Sequence, residues 1–276
     1  MSIAILSNIF SNRFALDAIA SHARKQGVEK YIFTGGLFEW GNDPLYVASW
    51  LMKVEATCIL TQKDLGVFDP EYLAVENSPT RMKSILWNIN ELLSSPLWKD
   101  FEPFLQDQVV AKAWGCLEIR RFFPHEFLQK RRMQMNFTYN ESRAPVFPRE
   151  FDSPWSDDEL KYIFRDNNIV LLNSNGADWL IDQNGIGHNA LFYGDVSLTE
   201  EGGHFLMDTG SAGGWRGRRW DDCATYLYVD ESVVRMIGVQ FDSGGIIQEC
   251  AIRNGEIPWS HIRNSTIEEF VHSRMY

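Results

Sequence analysis

The sequence predicts an α/β protein, and two features support this prediction. Short apolar runs bounded by turn residues, the pattern of buried strands, occur near both ends of the 276-residue chain. Stretches with apolar residues at helical spacing separate the first of these runs, and this alternation favours parallel strands covered by helices. A stretch with few strand signals, about residues 79–165, lies between the two strand-rich ends. We therefore expect a single discontinuous domain over residues 1–276, with a helical insertion at about 79–165.

The first third of the chain predicts the order β-α-β-α-β. Phe14, Ala15, Ala18 and Ile19 follow helical spacing before Gly27, and a second helical stretch runs from about Pro44 to Met52. The strands predicted around these helices are Ile3 to Leu6, Tyr31 to Phe33 and Ala56 to Leu60.

The rest of the chain first favours helix and then returns to strands. Ile85, Ile89 and Leu92 follow helical spacing, and Leu117 to Met133 does so less regularly. Beyond about residue 165, turns that contain Gly, Asn or Asp separate short apolar runs. The strands predicted there are Ile169 to Leu172, Ala190 to Tyr193, Phe205 to Met207, Ala224 to Val229 and Val233 to Phe241.

Composition and charge argue against several classes of protein. The chain is 45% hydrophobic and 23% charged, which is typical of a soluble globular protein. A formal charge of -11 disfavours general electrostatic binding to nucleic acid or to an anionic membrane. No run is long enough to span a membrane, the start lacks the pattern of a signal peptide, and the four cysteines form no C-x-x-C pair. We therefore expect a cytoplasmic protein that binds no membrane, and nucleic acid is a disfavoured partner unless a local basic patch exists within the acidic chain.

Short motifs follow the first three predicted strands. The segment Asn8-Ile9-Phe10-Ser11-Asn12 leads from the first strand into the first helix. Gly35-Gly36 ends the second strand, and Thr61-Gln62-Lys63-Asp64 follows the third. Turns that follow strands and precede helices are common locations for functional groups in α/β proteins.

Three further motifs occur late in the chain. Asn175-Gly176, with Asn173 as the alternative, follows the strand predicted around Leu171, and Gly194-Asp195-Val196-Ser197 follows Tyr193. The last motif is the segment MDTGSAGGWRGRRWDDCATYLYVD, which contains Gly210, Ser211, Gly213, Ala224, Tyr226 and Asp230.

In their order and spacing these motifs resemble those of the calcineurin-like metallophosphoesterase superfamily, closest to its YfcE-like and diadenosine-tetraphosphatase-like branch. The resemblance covers nearly the whole chain. It implies a four-layer α-β-β-α sandwich of two mixed sheets. It also implies a site at which two divalent metals activate water for phosphoryl transfer.

The residues at the positions that the resemblance assigns to metal ligands and catalysis are poor metal ligands. A dinuclear site needs carboxylates and neutral imidazoles, whereas Phe10 is a hydrocarbon, Gly36 has no side chain and Lys63 is a cation. Only Asp195 remains a good ligand for a hard cation. We therefore expect a pseudoenzyme without a metal cofactor, which acts as a binding or regulatory module. The assigned positions are Asn8, Phe10, Gly36, Gln62, Lys63, Asn175, Asp195 and Ser197.

Two other hypotheses remain open. The first is an active phosphodiesterase or phosphatase with a rewired site for manganese or another divalent metal; Asp64, Asp178, Asp195 and His188 are the candidate ligands. These residues have an alternative interpretation as turn-capping or solvated groups. The second hypothesis is a scaffold that binds a protein partner through its insertion and leaves the cleft empty.

Basic residues suggest where a ligand or partner would bind. Lys63, Arg216, Arg218 and Arg219 could bind a phosphate or carboxylate, with Trp215 and Trp220 as stacking faces, or the arginines could pair with acidic neighbours. In the insertion, the segment LEIRRFFPHEFLQKRRMQM predicts either a surface for an acidic protein or a nucleic-acid strand, or an amphipathic helix pair. We expect the ligand to be a small phosphorylated molecule or an unidentified protein.

Overall fold

The computed structural model shows two large β-sheets and a layer of helices. The residues that the structure describes are 1–39, 41–61, 64–68, 73, 79–106, 112–114, 117–120, 150–152, 169–172, 179–184, 186–198, 203, 205–216, 219–220 and 222–246.

Five helices are named here in chain order. They are α1 (Arg13–Lys25), α2 (Pro44–Lys53), α3 (Pro79–Ser94), α4 (Trp98–Gln106) and the short α5 (Ala190–Tyr193). A 3-10 turn, Asp64–Val67, follows the third strand.

The strands are likewise named in chain order. They are β1 (Ile3–Leu6), β2 (Lys30–Phe33), β3 (Thr57–Cys58), β4 (Lys112–Trp114), β5 (Leu117–Arg120), β6 (Glu150–Asp152), β7 (Ile169–Leu172), β8 (Trp179–Asp182), β9 (Ile186–Asn189), β10 (Val196–Ser197), β11 (Phe205–Asp208), β12 (Trp215–Arg216), β13 (Arg219–Trp220), β14 (Cys223–Val229) and β15 (Val233–Gln240).

The first sheet has six strands in the order β10-β15-β14-β1-β2-β3. β1, β2 and β3 run parallel and are connected through α1 and α2, so the predicted β-α-β-α-β order is confirmed. β14 pairs antiparallel with β1, and β15 pairs antiparallel with β14. The carboxyl ends of β1, β2 and β3 therefore share one edge of this sheet.

The second sheet has seven strands in the order β4-β5-β7-β11-β8-β9-β6. β5, β7 and β11 run parallel to one another, whereas β8 pairs antiparallel with β11. A separate two-stranded ribbon, β12 and β13, lies between β11 and β14 in the chain.

Two predictions about local structure were wrong. Leu117–Arg120 forms strand β5 instead of helix, because it pairs with β7 over its whole length; its alternation of Leu and Ile with Glu and Arg also fits a strand. Ala190–Tyr193, predicted as a strand, forms helix α5. A run of four apolar residues is too short for its periodicity to distinguish the two structures.

The predicted insertion is helical at its start and contains strands further along. Helices α3 and α4 confirm the helical expectation over residues 79–106. The short strands β4, β5 and β6 also lie within residues 79–165, and they belong to the seven-stranded sheet. The insertion therefore contributes both edge strands of this sheet, β4 and β6, together with the inner strand β5, and the single-domain boundary of 1–276 stays a prediction.

The apolar core lies on both faces of the six-stranded sheet. On one face, Leu6 packs with Leu16 of α1, Leu51 of α2 and Phe101 of α4. On the other face, Ile3, Ile5 and Ile32 pack with residues of the second sheet, among them Leu180 and Met207. Successive side chains of a strand point to opposite faces, so this division follows from the sequence of β1.

The described residues thus form three layers, with helices on the first sheet and the first sheet on the second. The fourth layer that the resemblance implies is not among the residues that the structure describes. Within the same residues, no helix combines the length and the apolar character needed to cross a bilayer.

Candidate ligand site at the strand ends

The carboxyl ends of strands from both sheets meet at one place. Ser7, after β1, donates a hydrogen bond of 2.5 Å from its hydroxyl to the carbonyl oxygen of Gly210, after β11. The hydroxyl oxygens of Thr34, after β2, and Thr209, after β11, lie 3.2 Å apart. We call this group of loops the strand-end cluster; it comprises residues 7–12, 34–37, 61, 64 and 209–214.

The loop after β1 has an unusual backbone conformation. Asn8, Phe10 and Ser11 have φ angles of 54°, 52° and 55°, a left-handed region that costs non-glycine residues about 1–2 kcal/mol each. Their N–H groups donate hydrogen bonds of 2.8 to 2.9 Å to the carbonyl oxygens of residues 35, 36 and 37. These bonds compensate for the strained conformation and join the loops that follow β1 and β2.

Gly36 lies against this loop, and the contact tests whether a metal ligand fits there. A Cβ atom built on Gly36 would lie 2.5 Å from Asn8 Oδ1, 2.8 Å from Asn8 Cα and 3.1 Å from Phe10 Cε1. The backbone of Gly36 also has a φ of +72°, which disfavours any side chain. A bridging carboxylate therefore does not fit at this position as the loops are packed.

Asn8 and Phe10 complete the same contact without metal-binding groups. The side-chain nitrogen of Asn8, Nδ2, lies 3.4 Å from Ser7 Oγ and 3.3 Å from the carbonyl oxygen of Gly210, so it donates toward both. Phe10 is a buried hydrocarbon, and only 5% of its surface is exposed. The residues at three of the assigned ligand positions thus pack on one another, and they do not fit a dinuclear metal centre.

Asp64 is the charged residue of the cluster, and its carboxylate accepts four hydrogen bonds. Oδ1 accepts from the backbone N–H of Leu37 at 2.8 Å. Oδ2 accepts from the N–H groups of Gly36 and Thr61 at 2.9 Å each and from the Thr61 hydroxyl at 2.6 Å. Asp64 is 2% exposed, so this buried carboxylate ties the loop after β2 to the loop after β3.

Asp64 has the turn-capping role that was the alternative interpretation of its sequence position, and the sequence contains a signal for it. Thr61 and Asp64 have the T-x-x-D spacing of a capping box, in which each side chain bonds to the other residue's backbone N–H. Both bonds are present, since Asp64 N–H also donates to Thr61 Oγ1 at 3.3 Å. Gln62 and Lys63, the two assigned ligand positions between them, lie outside the described residues.

The loop after β11 is bound tightly to the loop after β1. The N–H groups of Ala212 and Gly213 donate to the carbonyl oxygens of Ser7 and Asn8 at 2.8 and 2.9 Å. In return, Asn12 donates from its side-chain amide to the carbonyl oxygen of Gly213 at 2.8 Å. A Cβ on Gly213 would lie 2.5 Å from the carbonyl oxygen of Ile9, so the close approach of the two backbones requires glycine.

The ribbon of β12 and β13 starts from this anchored loop. β12 begins at Trp215, two residues after Gly213, and β14 begins three residues after β13 ends. The register pairs Trp215 with Trp220 and Arg216 with Arg219. Two of the four predicted anion-binding residues are thus direct cross-strand partners beside the strand-end cluster, whereas Lys63 and Arg218 lie outside the described residues.

Asp195 and Ser197 do not join the cluster, contrary to their assigned positions. Val196 of β10 pairs with Val234, Val234 pairs with Val229, and Val229 pairs with Ile3 at the amino end of β1. The cluster lies beyond the carboxyl end of that strand. Asp195 is exposed, with its Oδ1 3.5 Å from Arg235 Nη1. Sequence order suggested a ligand motif here, but the register places it at the other end of the sheet.

The residues of the hypothetical single-metal site are also separated. Asp64 is bound by backbone N–H groups, Asp195 faces Arg235, and the His188 Nε2 atom lies 3.1 Å from Asp182 Oδ2 in the hairpin of β8 and β9. Asn175, its alternative Asn173, and Asp178 lie outside the described residues. Where side chains are described, no three His, Cys, Asp or Glu residues are grouped so that they could hold an ion.

Two titratable groups near the cluster are held in their neutral forms. Burial raises the pKa of the Cys58 thiol at the end of β3, and the nearby Asp64 carboxylate raises it further. Burial also raises the pKa of Tyr226 in β14 to about 12. The Tyr226 hydroxyl lies 3.0 Å from His22 Nδ1 of α1. The Cys58 thiol is therefore a packing group and a poor nucleophile at neutral pH.

Comparison with solved structures identifies the fold. A metallophosphoesterase from Sphaerobacter thermophilus has a TM-score of 0.65 at 14% identity, covering 96% of this chain and 99% of that one. The hypothetical protein PH1004 from Pyrococcus horikoshii OT3 has a TM-score of 0.57 at 19% identity, covering 97% and 96%. YfcE, a phosphoesterase from E. coli, also matches, with a TM-score of 0.37 at 9% identity over 87% of this chain and 100% of that one.

The predicted metallophosphoesterase fold is confirmed by the first two of these similarities. At such low identity they show the fold alone. No protein-family model matches the sequence, and no curated protein matches it. Activity must therefore be argued from the site itself.

Proposed function

Starting from a metallophosphoesterase fold, we propose that this protein is a catalytically inactive member of that fold that acts as a binding or regulatory module. The observation that carries the proposal is the contact between Gly36 and Asn8. A side chain at Gly36 would lie 2.8 Å from Asn8 Cα, a backbone atom that cannot move aside as the end of a side chain can. The space for a bridging carboxylate is filled by the protein itself.

The chemistry of the cluster supports the same proposal. In two-metal phosphoryl transfer, the ions generate hydroxide from water and stabilise the attacking and leaving oxygens. The amide of Asn8, the ring of Phe10 and the hydrogen of Gly36 supply neither a charge for the ions nor a base for the water. The buried carboxylate of Asp64 is bound by four donors that belong to the protein.

The proposed ligand is a small phosphorylated molecule or a protein partner, bound in the cytoplasm. The one carboxylate of the cluster, Asp64, is buried and bound by protein donors, and the ribbon beside the cluster has arginines at Arg216 and Arg219. Binding would then use the surroundings of the former site, while the cluster holds the loops in place.

The test measures metal content and hydrolysis in the same preparation. The full chain is purified without chelator, and bound manganese, iron, zinc and nickel are quantified by mass spectrometry. Hydrolysis of bis-p-nitrophenyl phosphate and p-nitrophenyl phosphate is then measured with added manganese. We expect well below one metal ion per chain and no hydrolysis above a buffer control, from protein whose cooperative thermal unfolding shows that it is folded.

The opposite result would support a rewired phosphoesterase. Near-stoichiometric metal together with manganese-dependent turnover would overturn our proposal. In that case Asp195→Ala shows whether the new site includes the carboxylate beside Arg235. Retained activity in this variant would move the search to residues nearer the cluster.

A further inference from the structure

We draw no further inference here: the strongest candidate, the outer edge of β15 at residues 235–240, has no strand partner among the described residues, since β10 pairs only with Val233 and Val234, and nothing in the structure shows what covers it.

Discussion

The strand-end cluster and the adjacent ribbon are neighbours in the chain, yet they differ in almost every physical property. In the cluster, backbone groups of the loops after β1, β2 and β11 bond to one another, and the assigned ligand positions are neutral and buried. The ribbon is held at its two ends and has two arginines at opposed positions. Close packing in the cluster thus leaves no space for a metal ligand at Gly36, whereas the basic residues that the proposed binding function uses lie beside it, in the ribbon.

The largest effect should come from a methyl group placed inside the cluster. Gly36→Ala adds a Cβ 2.5 to 2.8 Å from atoms of Asn8 at a φ of +72°, and we expect a loss of at least about 3 kcal/mol in the free energy of unfolding. Urea denaturation measures it. Gly27→Ala is the control, because Gly27 has a φ of +75° and nothing within 4 Å; it should lose only about 1 kcal/mol. Equal losses would show that backbone conformation, and not close packing, constrains Gly36.

A somewhat smaller effect is expected from the buried carboxylate. Asp64→Asn replaces an acceptor oxygen by an N–H donor that would face backbone donors. We expect the free energy of unfolding to fall by about 2–3 kcal/mol. Asp230→Asn is the comparison, since Asp230 accepts from Ser232 and Val233 in a turn that water can reach. It should lose less than about 1 kcal/mol. Urea denaturation measures both losses. Equal losses in the free energy of unfolding would show that burial does not make the Asp64 carboxylate more stabilising than the exposed one.

A third prediction concerns alkaline pH. Tyr226 titrates at about 12 in the folded protein and near 10 when unfolded, so the unfolded chain loses this proton first. Stability should therefore fall by about 1–2 kcal/mol between pH 10 and 12 through this group. Tyr226→Phe should reduce the slope of stability against pH in this window, measured by urea denaturation at several pH values. A variant slope as steep as that of the parent would contradict the prediction.

The smallest effect should come from metal itself. A ligand present at 100 times its dissociation constant would stabilise the folded state by about 2.7 kcal/mol. We expect that 1 mM manganese and 1 mM EDTA shift the midpoint of thermal unfolding by less than about 1 °C relative to buffer. An increase of several degrees with manganese that EDTA reverses would place an ion in the folded protein.

The sequence predicted the elements of the first third of the chain, where helical and strand-like patterns alternate regularly. β1, β2, α1 and α2 lie close to their predicted bounds, because helical spacing and strand-like runs alternate there in a regular order. Helix α5 was missed because Ala190–Tyr193 has only four residues, and its structure is decided by its position between β9 and β10. Strand β3 has two residues where five were predicted, since pairing with β2 ends at Cys58.

Only the part of the candidate site formed by loops after adjacent parallel strands could be predicted from the sequence. The loop from Asn8 to Asn12 and the pair Gly35-Gly36 follow adjacent parallel strands, so their meeting follows from the order of elements. Asp195 was misplaced because a motif was assigned from sequence order alone, and only the pairing of β10 with β15 shows which end of the sheet it occupies. The close packing of Gly36 on Asn8 depends on distances that no sequence pattern contains.

The contact between Gly36 and Asn8 also bears on how this site can change over evolutionary time. Gly36→Asp alone places a side chain against a backbone atom 2.8 Å away. Asn8→Asp alone sets a carboxylate oxygen where an amide now donates toward the carbonyl oxygen of Gly210 at 3.3 Å. Each single step toward a metal-binding site lowers stability before an ion can bind and offset the loss. Introducing metal ligands at these positions one at a time is thus unfavourable, and libraries of single substitutions should not yield a metal-dependent variant.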